Sequence, residues 1–80
     1  MRANRVTYDT AADAAYVYLV GFVAPGAVAQ TRPAMLELDQ AFIAFDFDSE
    51  GKILGIEILG ASRVLSKETL ESADELGTSD

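Results

Sequence analysis

Along the chain, short apolar runs of about four to eight residues alternate with clusters of Asp, Gly, Pro and Ser, the spacing expected of strands and turns. Arg5-Val6-Thr7-Tyr8 is a short β-rich run. Asp9 to Ala14 then reads as a single helical turn, with Asp9 placed to accept free backbone N–H groups. Ala15 to Phe22 is aromatic and β-branched, and Ala24-Pro25-Gly26 ends it. A third strand includes Val28 to Thr31. Pro33 has no N–H to give to a ladder, so this strand lies at an edge or breaks there, and Met35-Leu36-Glu37-Leu38 resumes extended structure. The last element begins near Gly60-Ala61-Ser62 and includes a helix from about Lys67 to Leu76. Ser66 is its cap, Glu68 lies in its first turn, and Leu70, Ala73 and Leu76 form a thin apolar stripe.

The clearest element is a hairpin, Ala41 to Leu59, closed by Asp48-Ser49-Glu50-Gly51-Lys52. That loop has the chemistry of a type I turn followed by a left-handed glycine. The register it predicts sets Asp48 against Lys52, Phe47 against Ile53, and Phe45 against Gly55, where the ring covers bare glycine backbone; one bulge would invert the faces. In that register Ile43, Phe45, Phe47 and Ile53 lie on one face and Phe42, Leu54, Ile56 and Ile58 on the other. The predicted fold is β-rich α+β: an antiparallel sheet of four to five strands, a meander with a central hairpin, plus a short helical turn and a short C-terminal helix. It is one domain, residues 1–80, ordered from about 5 to 65 or 76, with Met1 to Asn4 and Gly77 to Asp80 frayed.

Size and patterning together bear on assembly. A domain of 80 residues buries only about 60% or slightly more of its unfolded surface, which leaves a marginal core. With no cysteine to staple it, and a hairpin apolar on both faces, a second copy is the economical cover. A homo-oligomer, with a dimer favoured, is expected. Its candidate interface is Phe42, Leu54, Ile56, Ile58, Tyr16 and Tyr18.

Charge and missing residue types exclude several function classes. Thirteen acidic against six basic side chains, a net charge of -7, provide no basic footprint for phosphates. Neither nucleic acid nor a membrane surface is expected as a partner, and a basic protein is. The lack of Cys and His removes thiolate and imidazole chemistry and the usual zinc and copper ligands. The uncharged stretch Ala14 to Thr31 is divided by Pro25-Gly26, and its apolar part is shorter than the roughly 20 residues of a spanning helix. It is read as core strand, Asp9 and Asp13 interrupt any signal-peptide pattern, and a cytoplasmic location follows as the default.

Several acidic groups invite a chemical reading. Asp46, Asp48, Glu50 and Glu57, with Gly51, fall at the spacing of an EF-hand loop. Strand-like flanks argue against a calcium site, as does the distance from the turn to Glu57, about 16 to 20 Å in an extended hairpin. A solvated hairpin turn is the better reading, and no metal or cofactor is expected. Glu57, between Ile56 and Ile58, either reaches solvent, pairs with Arg32, Arg63 or Lys52, or is partly buried with a raised pKa; pairing is favoured. Asp9 with Asp13, or Asp46 with Asp48, could formally serve as acid and base, but no nucleophile or oxyanion site accompanies them. No catalytic residue is assigned. Tyr8, Tyr16 and Tyr18 are read as core and interface aromatics rather than as a stacking surface.

The stretch Tyr8-Asp9-Thr10-Ala11-Ala12-Asp13-Ala14-Ala15-Tyr16-Val17-Tyr18-Leu19, with Phe45 to Leu59 and Ala61-Ser62, resembles the small bacterial family called domain of unknown function 2283. The positions carrying the resemblance are Tyr8, Asp9, Ala12, Asp13, Tyr16, Asp46, Asp48, Gly51, Gly55, Glu57, Ala61 and Ser62, over about residues 5 to 65. The resemblance implies no particular activity or ligand. Members of this kind are often encoded beside small toxin-like proteins, which implies an antitoxin or neutralising role. Val20 to Asp39 departs from the family pattern and would suit a partner-specific surface. The functional expectation is a non-enzymatic, self-associating module that binds a protein partner, set against a purely structural homo-oligomer and, third, a carboxylate-based enzyme or acidic-turn calcium binder.

Overall fold

A computed structural model describes residues 5–76, so the ends expected to fray lie outside the described residues. Six strands, β1 (Arg5–Asp9), β2 (Ala14–Tyr18), β3 (Gln30–Pro33), β4 (Phe42–Phe47), β5 (Ile53–Leu59) and β6 (Asp74–Leu76), share one sheet with a short helix, α1 (Lys67–Ser72). A 3-10 turn spans Ala61–Arg63. The sheet order is β3-β4-β5-β2-β1-β6. This is not the expected antiparallel meander of four to five strands. The chain leaves β2, passes the places later filled by β5 and β4, and lays β3 on the far edge, while β6 pairs parallel with β1.

Local chemistry explains the turns. Asp9 Oδ1 accepts from the N–H groups of Ala11 (3.1 Å) and Ala12 (3.2 Å), the local bond that Asp makes in turns. No helical turn forms, because Asp13 enters the left-handed region at φ 53 and sends the chain straight into β2. In the central hairpin the Asp48 N–H donates to the Lys52 carbonyl (2.8 Å) and Gly51, at φ 82, donates to the Asp48 carbonyl (3.0 Å). This is the predicted turn with its left-handed glycine.

The register beyond that turn departs from expectation. Phe47 does face Ile53, but a bulge follows, so Asp46 faces Gly55 and Phe45 faces Ile56. Leu54 is the extra residue, and its carbonyl accepts from Leu19 N–H (2.9 Å). One inserted residue exchanges the faces of everything after it. Ile43, Phe45, Ile56 and Ile58 therefore share one face, while Phe42, Ala44, Asp46, Gly55, Glu57 and Leu59 share the other. The hairpin is not apolar on both faces as the unbulged register required.

The gathered apolar face is the core. Ala15, Ile58 and Ala61 are buried, with Tyr8, Val17, Ile43, Ile56, Val64, Leu65 and Leu70 packed against them. The segment after β5 thus covers one side of the sheet, and burial of a side chain such as Ile58 contributes about 1.5–3 kcal/mol. Ser66 caps α1 as predicted, its hydroxyl accepting from Thr69 N–H (3.1 Å). The helix does not reach Leu76. Ala73 is extended (φ -75, ψ 154), and Asp74–Leu76 leaves to pair with β1. A short helix anchored by Leu70 holds its backbone weakly, and the open edge of β1 offers the next residues hydrogen-bond partners. Met35 to Leu38 forms no strand; the β3–β4 ladder ends with Ala34 N–H donating to Ile43 (2.8 Å). Among the described residues no helix is long and apolar enough to cross a membrane.

Candidate functional site

Two polar clusters bring together most of the singled-out residues. The first joins the β1–β2 turn to the end of β5. Asp13 Oδ1 accepts from the Tyr8 hydroxyl (2.6 Å) and Ser62 N–H (2.9 Å), and Oδ2 accepts from the Ser62 hydroxyl (2.7 Å). The Asp13 carbonyl also accepts from the N–H groups of Gly60 and Ala61, both at 2.9 Å. Bonds from Tyr8 and Ser62 to the ionised carboxylate hold Asp13 below the usual carboxylate range, and the same carboxylate pushes the Tyr8 hydroxyl above its ordinary value. A carboxylate so well satisfied is a poor base for the Ser62 hydroxyl it touches. Gly60 must be glycine here: it sits at φ 71, and a Cβ would run into the Gln40 carbonyl.

The second cluster lies on the sheet face away from the helix. Asp46, only 9% exposed, accepts from the Tyr16 hydroxyl at Oδ2 (2.7 Å) and from the Thr31 hydroxyl at Oδ1 (2.6 Å). Both are the short distances of charge-assisted bonds. Burial first, and then the bond to Asp46, raises the Tyr16 hydroxyl far above the ordinary tyrosine value. The Tyr16 ring lies over Gly55, in the space a Cβ would need. Tyr16, rather than Phe45, thus covers the bare glycine. Tyr18 meets Tyr16 edge-on with centroids 4.7 Å apart, and the Arg5 guanidinium stands 4.2 Å from the Tyr18 ring centre. Glu57 is half-buried in the row of Tyr16 and Ala44. The expected partner Arg32, Arg63 or Lys52 does not reach it: among the described residues the ion pair within 4.0 Å joins Lys67 and Glu71.

The acidic loop is taken apart by the fold. Asp48 Oδ1 accepts from the N–H groups of Glu50 and Lys52, both at 2.9 Å, whereas Asp46 is engaged on the sheet face and Glu57 stands further along β5. Strands flank the turn, and among the described residues no three metal-ligating side chains converge. The formal acid–base pairs also separate: Asp9 serves its own turn and Asp13 the Ser62 contact.

A family model described as "Protein of unknown function (DUF2283)" matches residues 5–62. The chain belongs to this family. Comparison with curated proteins and with solved structures finds no match. In this DUF2283 protein the resemblance residues take legible structural duties: Asp9, Asp48 and Gly51 shape turns, Tyr8, Asp13, Ala61 and Ser62 join two strand ends, and Tyr16, Asp46 and Gly55 pack the outer face. Ala12 gives its N–H to Asp9 (3.2 Å).

The interface candidates divide. Ile58 and Leu54 are buried and Ile56 packs against the core, so these three are occupied within the protomer. Phe42 is exposed on the opposite face, and Tyr16 and Tyr18 are half-buried there. Sequence reasoning missed Thr31 and Arg5. The first is brought to Asp46 by a crossover with no local signature, and the second is carried to Tyr18 by strand register. An open cleft of about 480 Å³ between the edge of β3 and the hairpin turn, and a smaller one of about 280 Å³ beside β1, β6 and α1, both exclude Tyr16 and Asp46.

Proposed function

We propose that this DUF2283 protein is a non-catalytic, self-associating, protein-binding module of the cytoplasm, whose partner is a small basic protein that it neutralises in the manner of an antitoxin. The observation that carries the reading is an inverted distribution of apolar size. Among the described residues the buried hydrophobic ones are Ala15, Ala44, Leu54, Ile58 and Ala61, whereas Phe22 (75% exposed), Met35 (93%), Leu36 (64%), Phe42 and Leu59 stand outside. Large apolar side chains left in water beside a core rich in alanine are the composition of a contact surface. Phe22, Met35 and Leu36 fall in the stretch between Val20 and Asp39, and the net charge of -7 supplies attraction and fast capture of a basic partner. Against catalysis stand the two carboxylates held by hydroxyls and the absence of an activated nucleophile among the described residues.

Size-exclusion chromatography with light scattering at micromolar concentration is expected to give a dimer; a stable monomer overturns self-association. Purification from the native host is expected to bring down a stoichiometric basic protein that high salt removes. Isolation of the homo-oligomer alone overturns the neutralising role.

A further inference from the structure

The two edges of the sheet are protected by different means. On β3 the protection is built in. Ala34 N–H bonds inward to Ile43, so by the two-residue period Arg32 and Gln30 also turn their backbone groups to β4, leaving Thr31 and Pro33 to face out. Pro33 has no N–H, and a short exposed strand with one outward N–H is a poor template. On β1 the protection is a separate segment. Leu19 N–H bonds to Leu54 and Gly60 N–H to Asp13, which fixes Ala15 and Val17 as the β2 residues bonded to β5. Ala14, Tyr16 and Tyr18 therefore bond to Asp9, Thr7 and Arg5, and the backbone groups of Val6 and Tyr8 point away from the sheet. β6 covers them with three residues, Asp74-Glu75-Leu76, in parallel pairing. Asp74 and Glu75 are exposed, poor strand formers, and bring negative charge beside Asp9.

The strand beneath is complementary to itself. Turned by a two-fold axis through Thr7, a second β1 sets Arg5 against Asp9, Val6 against Tyr8 and Thr7 against Thr7. The Val6 and Tyr8 pairs then exchange four backbone hydrogen bonds, opposite charges meet at both ends, and a Thr–Thr pair sits at the centre. Turning Pro33 and Thr31 about an axis between them leaves no comparable set of bonds.

We propose that the outer edge of β1 is the self-association surface: β6 swings away, and two copies pair antiparallel about Thr7 into one continuous sheet. The inference rests on the self-association reading above and names its surface. Because the chain has no cysteine, Thr7→Cys places one thiol per protomer on the proposed axis. Facing Cα atoms in such a pair stand about 4.5 Å apart, within disulfide reach.

Mild oxidation is expected to convert the Thr7→Cys chain to a covalent dimer while Ser49→Cys, at the hairpin turn, forms no cross-link under the same conditions. Asp74→Pro in the full chain, which removes an N–H that β6 turns towards β1, is expected to tighten the dimer about tenfold, and Arg5→Glu to loosen it about tenfold, each with an unchanged circular dichroism spectrum. A dimeric native chain in which Thr7→Cys oxidises no faster than Ser49→Cys and Asp74→Pro changes nothing overturns this surface and leaves self-association standing. A chain monomeric in every form, its β1 edge kept by β6 or taken by a strand of another protein, overturns both.

Discussion

Asp13 carries a left-handed backbone and spends its carboxylate on Tyr8 and Ser62. Its pKa is lower in the folded protein than in the unfolded chain, where a carboxylate titrates near about 3.9. The folded state therefore gives up that proton more readily, so the stabilisation is complete above about pH 4 and is lost as pH falls through the folded value. Thermal midpoints measured from pH 7 down to about pH 2 are expected to fall for the native chain. Asp13→Asn, which keeps the side-chain shape but not the charge, should start several degrees lower at neutral pH and show a flatter acid limb. Tyr8 has the opposite sign: its raised value makes its contribution complete below about pH 10 and lost above it. That Asp9 shapes a turn is legible in the residues around it, because a short carboxylate finds N–H groups two and three positions on. That Asp13 meets Ser62 is not, since 49 residues separate them and the contact exists only once β2 and β5 are neighbours.

Among the elements, β5 shows how one inserted residue decides which side chains form the core. The Asp48 to Lys52 turn is a local object, set by an aspartate that binds its own loop and a glycine at φ 82, and its residues announce it. The Leu54 bulge answers to β2, whose Leu19 N–H bonds the Leu54 carbonyl, and hairpin patterning carries no mark of it. Past the bulge, Gly55 comes under the Tyr16 ring. Gly55→Ala must push that ring off Asp46 or move the strands apart, a cost of about 1–3 kcal/mol. In a Tyr16→Ala background the same substitution should cost much less. Chemical denaturation of the four variants gives the coupling energy, and additive costs would show that ring and glycine are independent. The end of α1 departs from the sequence pattern for a related reason: Ala73 to Leu76 continues a helical stripe in sequence, but an unoccupied β1 edge competes for the same backbone.

As a whole molecule, the protein covers one sheet face with its own C-terminal segment and leaves large apolar residues in its connections and at one end of the other face. On the proposed self-association, a second copy adds stability to the fold by mass action. Its thermal midpoint is expected to rise with protein concentration across a hundredfold range; a midpoint independent of concentration would mean that unfolding does not release a partner. Strand-rich composition, both hairpin turns, the Ser66 cap, the edge character of the Pro33 strand and the acidic surface were determined by the sequence itself, because each depends on backbone conformation or charge within a few residues. The mixed sheet order, the bulge that moves Ile56 and Ile58 to the core, the Asp13–Ser62 and Tyr16–Asp46–Thr31 contacts and the replacement of helix by β6 were decided by tertiary structure alone. Each depends on which strands become neighbours, and neighbours are chosen by the burial and backbone pairing of the whole sheet.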